Sequence, residues 1–348
     1  MPSTKGSRTS ASSRKKASQS VEDKKQKEQK QEEQQVETQK DDGTDGLSSI
    51  SSRPEFRPAK ALLEKEEPEC FENAPKVTFV PKPKTARLLL VMRNAEQMDR
   101  IFPDWTKQNF QNQKYVYGDM NQPVNLPLRR NPLATYGADP PLTEMGHRMA
   151  DLIGRAMKER GIVISSVYAS PALGCIQTAH RLIRSQLYDL KIRVEPALFD
   201  FNGWIAAQLP TFMTLPELNA NGVPVDMSYR PMMSIPQMNN VQTENPSDFY
   251  KRCASAVYNL TKLQSPFGII LLVTHACTMH AIGRSLSGLP TYQSLEDMKR
   301  IPLNYPFCSL LTMAPSAEGT WTQIPNVVPS LVSSGFSNQF NHFFFTKP

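Results

Sequence analysis

Several residues able to do chemistry follow directly on apolar stretches of the chain. Arg93, Asn94 and Glu96 come after the run RLLLVM, Ser170 follows ISSVYA, and His275 follows GIILLVT. In α/β sheets, ligands bind beyond the carboxyl ends of the strands. If the three runs are strands of one sheet, their polar residues lie at the same edge. We therefore predict a pocket that these residues share.

The elements that must position this pocket can be read from the same stretches. The second and third runs are followed by the helical patterns CIQTAHRLIRSQL and MHAIGRSL. A further helix is predicted over LTEMGHRMADLIGRAMKERG, where Thr143 is a good N-cap and Gly161 a plausible stop. Another begins at Pro246 and runs through DFYKRCASAVYNLTKL. Strands alternating with helices predict a three-layer α/β/α sandwich with a mostly parallel sheet.

The 348-residue chain divides into two parts by composition. Residues 1–85 lack Trp and Tyr and are rich in Lys, Gln, Glu and Ser, which predicts a disordered charged tail. Residues 86–348 hold all three Trp and all ten Tyr and predict one folded domain. Two Pro-rich segments, near 101–141 and 201–246, interrupt the strand–helix pattern and are predicted to be cap inserts.

Composition excludes several classes of protein. The formal net charge of +7 is not clustered, so no nucleic-acid footprint is indicated. The longest apolar run, FGIILLV, is strand-sized, and no membrane span or signal peptide is expected. Five dispersed cysteines without metal spacing favour free thiols in a reducing compartment, either cytoplasm or nucleus. We expect no metal and no cofactor.

The polar segments, taken in order, resemble the histidine phosphatase (phosphoglycerate-mutase-like) superfamily. Arg93-Asn94-Ala95-Glu96 resembles the family's Arg-His-Gly-Glu signature, and VYASPALGCIQTAHRLI resembles its Ser-Pro-x-x-Arg-x-x-Gln-Thr-Ala segment. PPLTEMGHRMADLIG resembles the first helix, and VEPALFDFNGW and LLVTHA resemble the segments of the acid and the second histidine. The resemblance covers residues 86–312. It is closest to the phosphatase domain of the ubiquitin-associated and SH3-domain-containing tyrosine phosphatases, although the tail shows neither accessory domain.

The resemblance implies a site that has kept some of its groups. In the family a histidine attacks phosphorus, arginines hold the phosphoryl oxygens, an acid protonates the leaving oxygen and a second histidine contacts the phosphate. Arg93 matches the first arginine, Asp200 matches the acid and His275 matches the second histidine. Arg93 and His275 are therefore the predicted residual phosphate-binding residues.

The resemblance also implies that other groups are lost. Asn94 stands at the position of the nucleophilic histidine, and Ala95 replaces a glycine. Gln97 and Gly174 occupy positions where an arginine would bind phosphate. An amide nitrogen is not basic and cannot carry the phosphoryl group. Charge-assisted hydrogen bonds contribute about 1.5–3 kcal/mol each, so losing two arginines costs roughly 10²–10⁴-fold in phosphate affinity.

Other catalytic interpretations rest on weaker patterns. Cys175 and Arg181 match the Cys-x5-Arg spacing of cysteine phosphatases, but their segment is predicted to be helical rather than a phosphate-binding loop. A hydrolase triad of Ser170, His275 and Asp200 lacks the Gly-x-Ser-x-Gly elbow. The remaining histidines of predicted helices are expected at the surface or in packing. These are His147, His180 and His280.

The sequence thus favours a pseudophosphatase that acts as a binding or scaffolding domain. Two alternatives remain open: a weak or altered phosphatase acting on a phosphotyrosine-like ester, and a homodimerising structural module. A protein partner or a second copy of the chain is expected, with weak phosphate binding at most. The degenerate pocket is predicted to comprise Arg93, Asn94, Glu96, Gln97, Gly174, Asp200 and His275.

Overall fold

The computed structural model describes eight stretches of the chain, and everything below refers to these. They are residues 87–186, 189–204, 209–239, 244–263, 268–316, 320–333, 336–337 and 340–346. The predicted disordered tail, residues 1–85, lies outside them. Within them, no helix is long and apolar enough to cross a lipid bilayer.

The helices and strands follow the predicted alternation. The strands are β1 (Arg87–Arg93), β2 (Phe110–Gln111), β3 (Lys114–Tyr115), β4 (Ile164–Ala169), β5 (Ile192–Val194), β6 (Gly268–Thr274), β7 (Leu310–Pro315), β8 (Trp321–Ile324), β9 (Val332–Ser333) and β10 (Phe336–Ser337). The helices are α1 (Met98–Ile101), α2 (Trp105–Gln108), α3 (Pro132–Tyr136), α4 (Glu144–Glu159), α5 (Leu173–Ile183), α6 (Leu215–Ala220), α7 (Ile235–Asn239), α8 (Pro246–Leu263), α9 (Ala276–Leu286), α10 (Leu295–Asn304) and α11 (His342–Thr346). Two 3₁₀ turns, Pro196–Leu198 and Asn202–Trp204, follow β5.

Six strands form the central sheet in the order β5-β4-β6-β1-β7-β8. The first four strands run parallel to one another. Strand β7 pairs antiparallel with β1, and β8 pairs antiparallel with β7. Alternate residues of β1 enter two different cores. Leu88, Leu90 and Met92 pack with α4 and α5, while Leu89 and Val91 pack with α8 and α9. A strand apolar on both faces needs helices on both sides, so the predicted three-layer α/β/α fold is confirmed.

The helix boundaries show the expected local chemistry. The Thr143 side chain accepts a hydrogen bond from the backbone N–H of Gly146 and so caps α4. Gly161 lies just after the end of α4 at φ +67°, a left-handed conformation that glycine adopts without steric cost. The helix predicted from Pro246 is α8. The prediction of local structure is therefore confirmed along this part of the chain.

The two predicted inserts carry short elements and contact each other. The first contains α2, β2, β3 and α3, and the second contains α6 and α7. Asn221 of the second insert accepts a hydrogen bond from the Leu128 N–H at 2.7 Å and donates to the Leu128 carbonyl at 2.8 Å. Arg129 also donates to the carbonyl of Thr211. The division into tail, domain and cap inserts stays a prediction, since these contacts do not define domain limits.

Candidate functional site

The polar residues that follow β1, β4 and β6 lie at one edge of the sheet, as the strand pattern predicts. Arg93 of β1 is in register with Thr274 of β6, and Ala169 of β4 is in register with Val273. The next residues along the three strands are Asn94, Ser170 and His275. Each therefore begins the connection that leaves the carboxyl end of its strand.

A cavity of about 350 Å³ opens beyond this edge, and we call it the strand-end pocket. Its walls come from the segments after β1 and β6, the loop around Asp200 and both inserts. Its lining residues are Gln97, Asp99, Arg100, Ala138, Asp139, Pro140, Ala172, Phe199, Asp200, Phe201, Trp204, Pro210 and His275. Of the seven predicted pocket residues, Gln97, Asp200 and His275 thus line it.

Asn94 is buried beneath this lining. It is only 2% exposed, and its carboxamide nitrogen donates to the Ala95 carbonyl and to Gln97 Oε1, each at 2.9 Å. Its backbone N–H donates to the Thr274 carbonyl at 2.8 Å. Both hydrogens of the amide are used within the protein. The Asn94 side chain therefore ties down the turn after β1 and presents no basic nitrogen to the pocket.

Gln97 and Gly174, the two positions that resemble lost arginines, are in direct contact. A Cβ atom placed on Gly174 would lie 2.6 Å from Gln97 Nε2 and 2.9 Å from Gln97 Cδ. The Gln97 amide also donates to the Pro140 carbonyl at 3.3 Å. Gln97 therefore occupies the space over Gly174 and covers Asn94 from the pocket. A side chain at position 174 fits only if that of Gln97 moves.

Arg93 does not line the strand-end pocket. Its Nη1 donates to the carbonyls of Pro302 and Tyr305 at the end of α10, and its guanidinium lies 4.1 Å from the centre of the Phe307 ring. These carbonyls end a helix and have no intrahelical partner, so a cation stabilises them. Burial lowers the pKa of Arg93 to about 10, and Asp200 opposes this shift. The guanidinium remains charged at neutral pH and caps α10.

His275 reaches the pocket with one ring nitrogen already engaged. Its Nε2 lies 3.0 Å from Ser170 Oγ and 3.5 Å from Cys175 Sγ. Phe199 packs edge-on against the imidazole, with ring centres 5.3 Å apart. Burial lowers the pKa of His275, the carboxylate of Asp200 acts in the opposite direction, and Arg93 lowers it further. The neutral imidazole therefore dominates at pH 7.

The loop that carries Asp200 is held by a buried ion pair. Arg252 of α8 contacts both oxygens of Glu244, at 2.7 and 2.8 Å, and both side chains are almost fully buried. The same guanidinium donates to the backbone carbonyls of Ala197, Phe199 and Asp200. Sequence reasoning missed this pair, because its two members give no periodic signal. It fixes the backbone from which Asp200 enters the pocket.

Glu96 serves the scaffold and not the pocket. Its Oε1 accepts hydrogen bonds from the Thr143 hydroxyl at 2.7 Å and from the Asn121 amide at 3.1 Å. The backbone N–H of Thr143 donates to the Glu96 carbonyl at 3.0 Å. These bonds join the turn after β1 to the start of α4. Glu96 therefore positions α4 against the end of β1.

Three charged residues of the lining were also missed, since they lie in or beside an irregular insert. They are Asp99, Arg100 and Asp139. Asp139 pairs with Arg129 at 3.1 Å and accepts the backbone N–H of Leu173 at the start of α5. Burial raises the pKa of Asp139 to about 6, against the influence of Arg129. The pocket lining therefore contains three carboxylates and one arginine.

The alternative catalytic patterns have clear positions in the fold. Cys175 and Arg181 lie on α5, as the helical prediction requires, and Cys175 is completely buried. Ser170 contacts His275 but is itself fully buried, so its hydroxyl cannot reach a substrate. Among the described ranges, no group of three or more His, Cys, Asp or Glu could hold a metal ion.

Comparison with known proteins places the chain in a family. Residues 129–322 match the sequence profile of the histidine phosphatase superfamily (branch 1). Ubiquitin-associated and SH3 domain-containing protein A from Homo sapiens is 34% identical over 263 residues, covering 73% of this chain and 39% of that protein. The ecdysteroid-phosphate phosphatase of Drosophila melanogaster is 32% identical over 248 residues, covering 70% of this chain and 32% of that protein. The chain belongs to the histidine phosphatase superfamily.

A solved structure supports the same assignment. The crystal structure of the ecdysone phosphate phosphatase of Bombyx mori, in complex with tungstate, superposes with a TM-score of 0.63 at 29% identity. The match covers 73% of this chain and 98% of that one. The chain spans 32% to 47% of the length of the curated relatives it matches. The likeness therefore concerns only a part of each of these proteins.

Proposed function

We propose that this histidine phosphatase domain is a pseudophosphatase that binds a partner without transferring a phosphoryl group. One observation carries the proposal. At the end of β1, where the family resemblance expects a nucleophilic histidine, Asn94 is buried with both amide hydrogens bonded inside the protein. A carboxamide nitrogen has no basic lone pair, so it cannot form the covalent phosphoryl intermediate.

The surroundings of Asn94 support the same function. Gln97 fills the space over Gly174, so neither position provides a cation. Arg93 is bonded to the end of α10, and His275 is bonded through Nε2 to Ser170. Asp99, Asp200 and Arg100 line the pocket, and the third carboxylate, Asp139, is paired with Arg129; this balance disfavours a dianion. We expect weak phosphate binding at most, with a dissociation constant of about 1 mM. Such a constant corresponds to a binding free energy of about 4 kcal/mol.

The test is hydrolysis of an aryl phosphate and of phosphotyrosine peptides by the full chain. The control is the variant with Arg93→Ala and His275→Ala together, which lacks both groups that match the family's phosphate contacts. We expect the same background rate from the two proteins. Activity in the unaltered chain that is lost in the control contradicts the proposal.

A weak or altered phosphatase is the second candidate. His275 and Asp200 line one pocket, as an acid and a phosphate-contacting histidine would. Two similar proteins are named as ecdysteroid-phosphate phosphatases. Turnover by this route needs a nucleophile other than Asn94. Trapping of a phosphorylated residue in the acid-quenched protein distinguishes this candidate from a binding domain.

The partner we propose is a protein or a second copy of this chain in the cytoplasm. The similar proteins named for ubiquitin-associated and SH3 domains support a role among protein interactions. Three of the described cysteines, Cys175, Cys253 and Cys277, are buried free thiols, which fits a reducing compartment. Light scattering of the purified chain across a concentration series separates a self-associating module from a monomer that needs a different partner.

A further inference from the structure

A second cavity lies between α4, α5 and the two inserts, and we call it the basic cavity. Its volume is about 230 Å³, and it shares no lining residue with the strand-end pocket. Four basic side chains line it: His147, His180, Arg181 and Arg184. The sequence predicted only surface or packing roles for the two histidines. The structure instead gathers them around one space.

The helical repeat explains how these side chains converge. Residues three or four positions apart lie on the same face of a helix. This spacing relates Gln177 to His180 and Arg181 on α5, and both of these to Arg184, the residue that follows the end of the helix. His147 comes from α4, where it faces Arg181. Arg181 Nε donates to His147 Nδ1 at 3.1 Å. Because Nδ1 accepts this bond, the ring proton of neutral His147 is on Nε2, which remains a donor.

Positive charge in the cavity is only partly balanced. Arg181 Nη1 lies 3.3 Å from Asp151 Oδ2, and within the described ranges no other carboxylate pairs with the four basic residues. From α6, Glu217 instead bonds Thr214 and lies 3.9 Å from Arg130. The pKa of His147 is lowered to about 4 by burial and by the charges of Arg181, His180 and Arg184. The pKa of His180 is lowered too, by burial and then by Arg184 and Arg181, while Asp151 opposes this.

An ordinary role at a helix end does not account for the whole cluster. Arg181 and Arg184 lie at the carboxyl end of α5, where cations complement the helix dipole. His147 lies one turn into α4, near an amino end that disfavours a cation. Its position against Arg181 therefore gains nothing from the dipole. A bound anion would be attracted by the guanidinium groups of Arg181 and Arg184 and would accept hydrogen bonds from the two imidazoles.

The remaining residues of the cavity lining indicate the chemistry of the group that carries the anion. Leu126, Leu173, Met213, Leu218 and Val223 are apolar. The side-chain amide of Asn221 is already hydrogen-bonded to the backbone of Leu128 and to the Glu217 carbonyl. Gln177 uses its oxygen for the Leu142 N–H, at 2.8 Å, which leaves its amide nitrogen as a donor. The lining thus joins cationic donors to an apolar wall.

We propose that the basic cavity binds a small organic phosphate monoester. The guanidinium of Arg184, together with Arg181, supplies the charged donors for the phosphate oxygens, since the planar fork of arginine matches them. Nε2 of His147 and the imidazole of His180 complete the donor set. The apolar wall contacts the organic group. This binding is independent of the strand-end pocket and involves no bond cleavage.

The first test measures binding to the unaltered protein and uses variants only to assign resonances. Phenyl phosphate is titrated at about pH 6 while the imidazole resonances are followed by NMR, with His147→Gln and His180→Gln used for assignment. We expect the His147 and His180 resonances to move, because a bound dianion raises both pKa values. Resonances of these two residues that stay fixed while others move would overturn the proposal.

The second test is calorimetry with variants. Replacing His180→Gln and Arg184→Gln together should weaken phenyl phosphate binding by at least about tenfold. The matched control is Arg148→Gln on the exposed side of α4, which should leave the affinity unchanged. Inorganic phosphate should bind at least about tenfold more weakly than phenyl phosphate. Equal affinity for the two ligands, or an equal loss in the Arg148→Gln variant, would refute the site.

Discussion

The strand-end pocket and the basic cavity both use helix α5, but their charges are opposite. Gly174, at the start of the helix, gives the strand-end pocket no side chain, and Gln97 fills the space above it. Later positions of the same helix give the basic cavity three cationic or titratable groups, His180, Arg181 and Arg184. The strand-end pocket is lined by three carboxylates and one arginine, and one of the carboxylates, Asp139, is paired with Arg129. The cavity outside that site holds the excess of positive charge.

The difference shows that a ligand site depends on how its charges are used as well as on which residues are present. Arg93 and His275 are both retained at the sheet edge, yet Arg93 caps α10 and His275 bonds Ser170. In the basic cavity, Asp151 is the one carboxylate of the described residues that pairs with the cluster, through Arg181. Charges that are already paired add little to binding, whereas unbalanced ones attract a counter-ion. Substitutions in the strand-end pocket and in the basic cavity test this difference.

The largest effect is expected from rebuilding the strand-end pocket. The variant Asn94→His, Ala95→Gly, Gln97→Arg, Gly174→Arg restores every group that the family resemblance finds missing, beside the existing Asp200 and His275. Hydrolysis of an aryl phosphate should rise by at least about 10³-fold over background, which is small beside the 10⁶-fold or more of evolved enzymes. The control carries the other three changes and keeps Asn94. Equal rates in the two variants would show that a histidine at position 94 does not act as nucleophile.

The second prediction concerns the ion pair that holds the Asp200 loop. Arg252→Ala leaves Glu244 as a buried charge without its partner and frees three backbone carbonyls. The free energy of unfolding should fall by about 3–5 kcal/mol. The neighbouring Lys251, whose ion pair with Asp248 is largely exposed, gives the matched control. Lys251→Ala should change stability by less than about 0.5 kcal/mol in the same denaturant titration. Similar losses in both variants would mean that Arg252 does not anchor the loop.

The third prediction separates charge from space in the strand-end pocket. Gln97→Arg together with Gly174→Arg should tighten phosphate binding by about 10²-fold, because two charge-assisted contacts are gained. Gly174→Arg alone should gain less, since its Cβ would meet Gln97 Nε2 at 2.6 Å unless Gln97 moves. Calorimetry with phosphate and vanadate measures both. Micromolar binding by the unaltered protein, or no gain in the double variant, would show a pocket built for another ligand.

The pH dependence of this binding follows from His275. Burial holds its pKa below the ordinary value of 6.5, so the imidazole gains charge only as the pH falls below that value. Phosphate binding in the double variant should therefore strengthen below about pH 6.5. The same variant with His275→Gln should lose this dependence. A persistent dependence would assign it to another group.

The smallest effect is expected from His147 in the basic cavity. Its folded-state pKa of about 4 lies below the ordinary 6.5, so the unfolded chain takes up the proton first as the pH falls. Its contribution to stability is complete above about pH 6.5 and is lost progressively towards pH 4. In the His147→Gln variant, the fall in the free energy of unfolding over this pH range should be smaller by on the order of 1–3 kcal/mol. Denaturant midpoints at several pH values measure it, with exposed His342→Gln as the control. An unchanged acid limb would contradict the burial and charge that the cavity imposes on His147.

The sequence by itself determined the fold and the edge at which the pocket lies. The apolar run of β1, the Thr143 cap and the Gly161 stop are local signals, and they act over a few residues whatever the rest of the chain does. The parallel pairing of β1, β4 and β6 then brings the residues after each strand together. The identity of Asn94 and Gly174 was equally plain from the sequence. Their chemistry follows from residue type alone.

Only the tertiary structure decided where the side chains point and which charges meet. The contact of Arg93 with Pro302 and Tyr305 joins residues more than 200 positions apart, and no periodicity encodes it. The contact between Gln97 and Gly174 and the pairing of His147 with Arg181 likewise depend on how separate elements pack. Burial and the distance between charges set the pKa of His147 and the availability of Arg93, and both quantities arise only when the chain is folded.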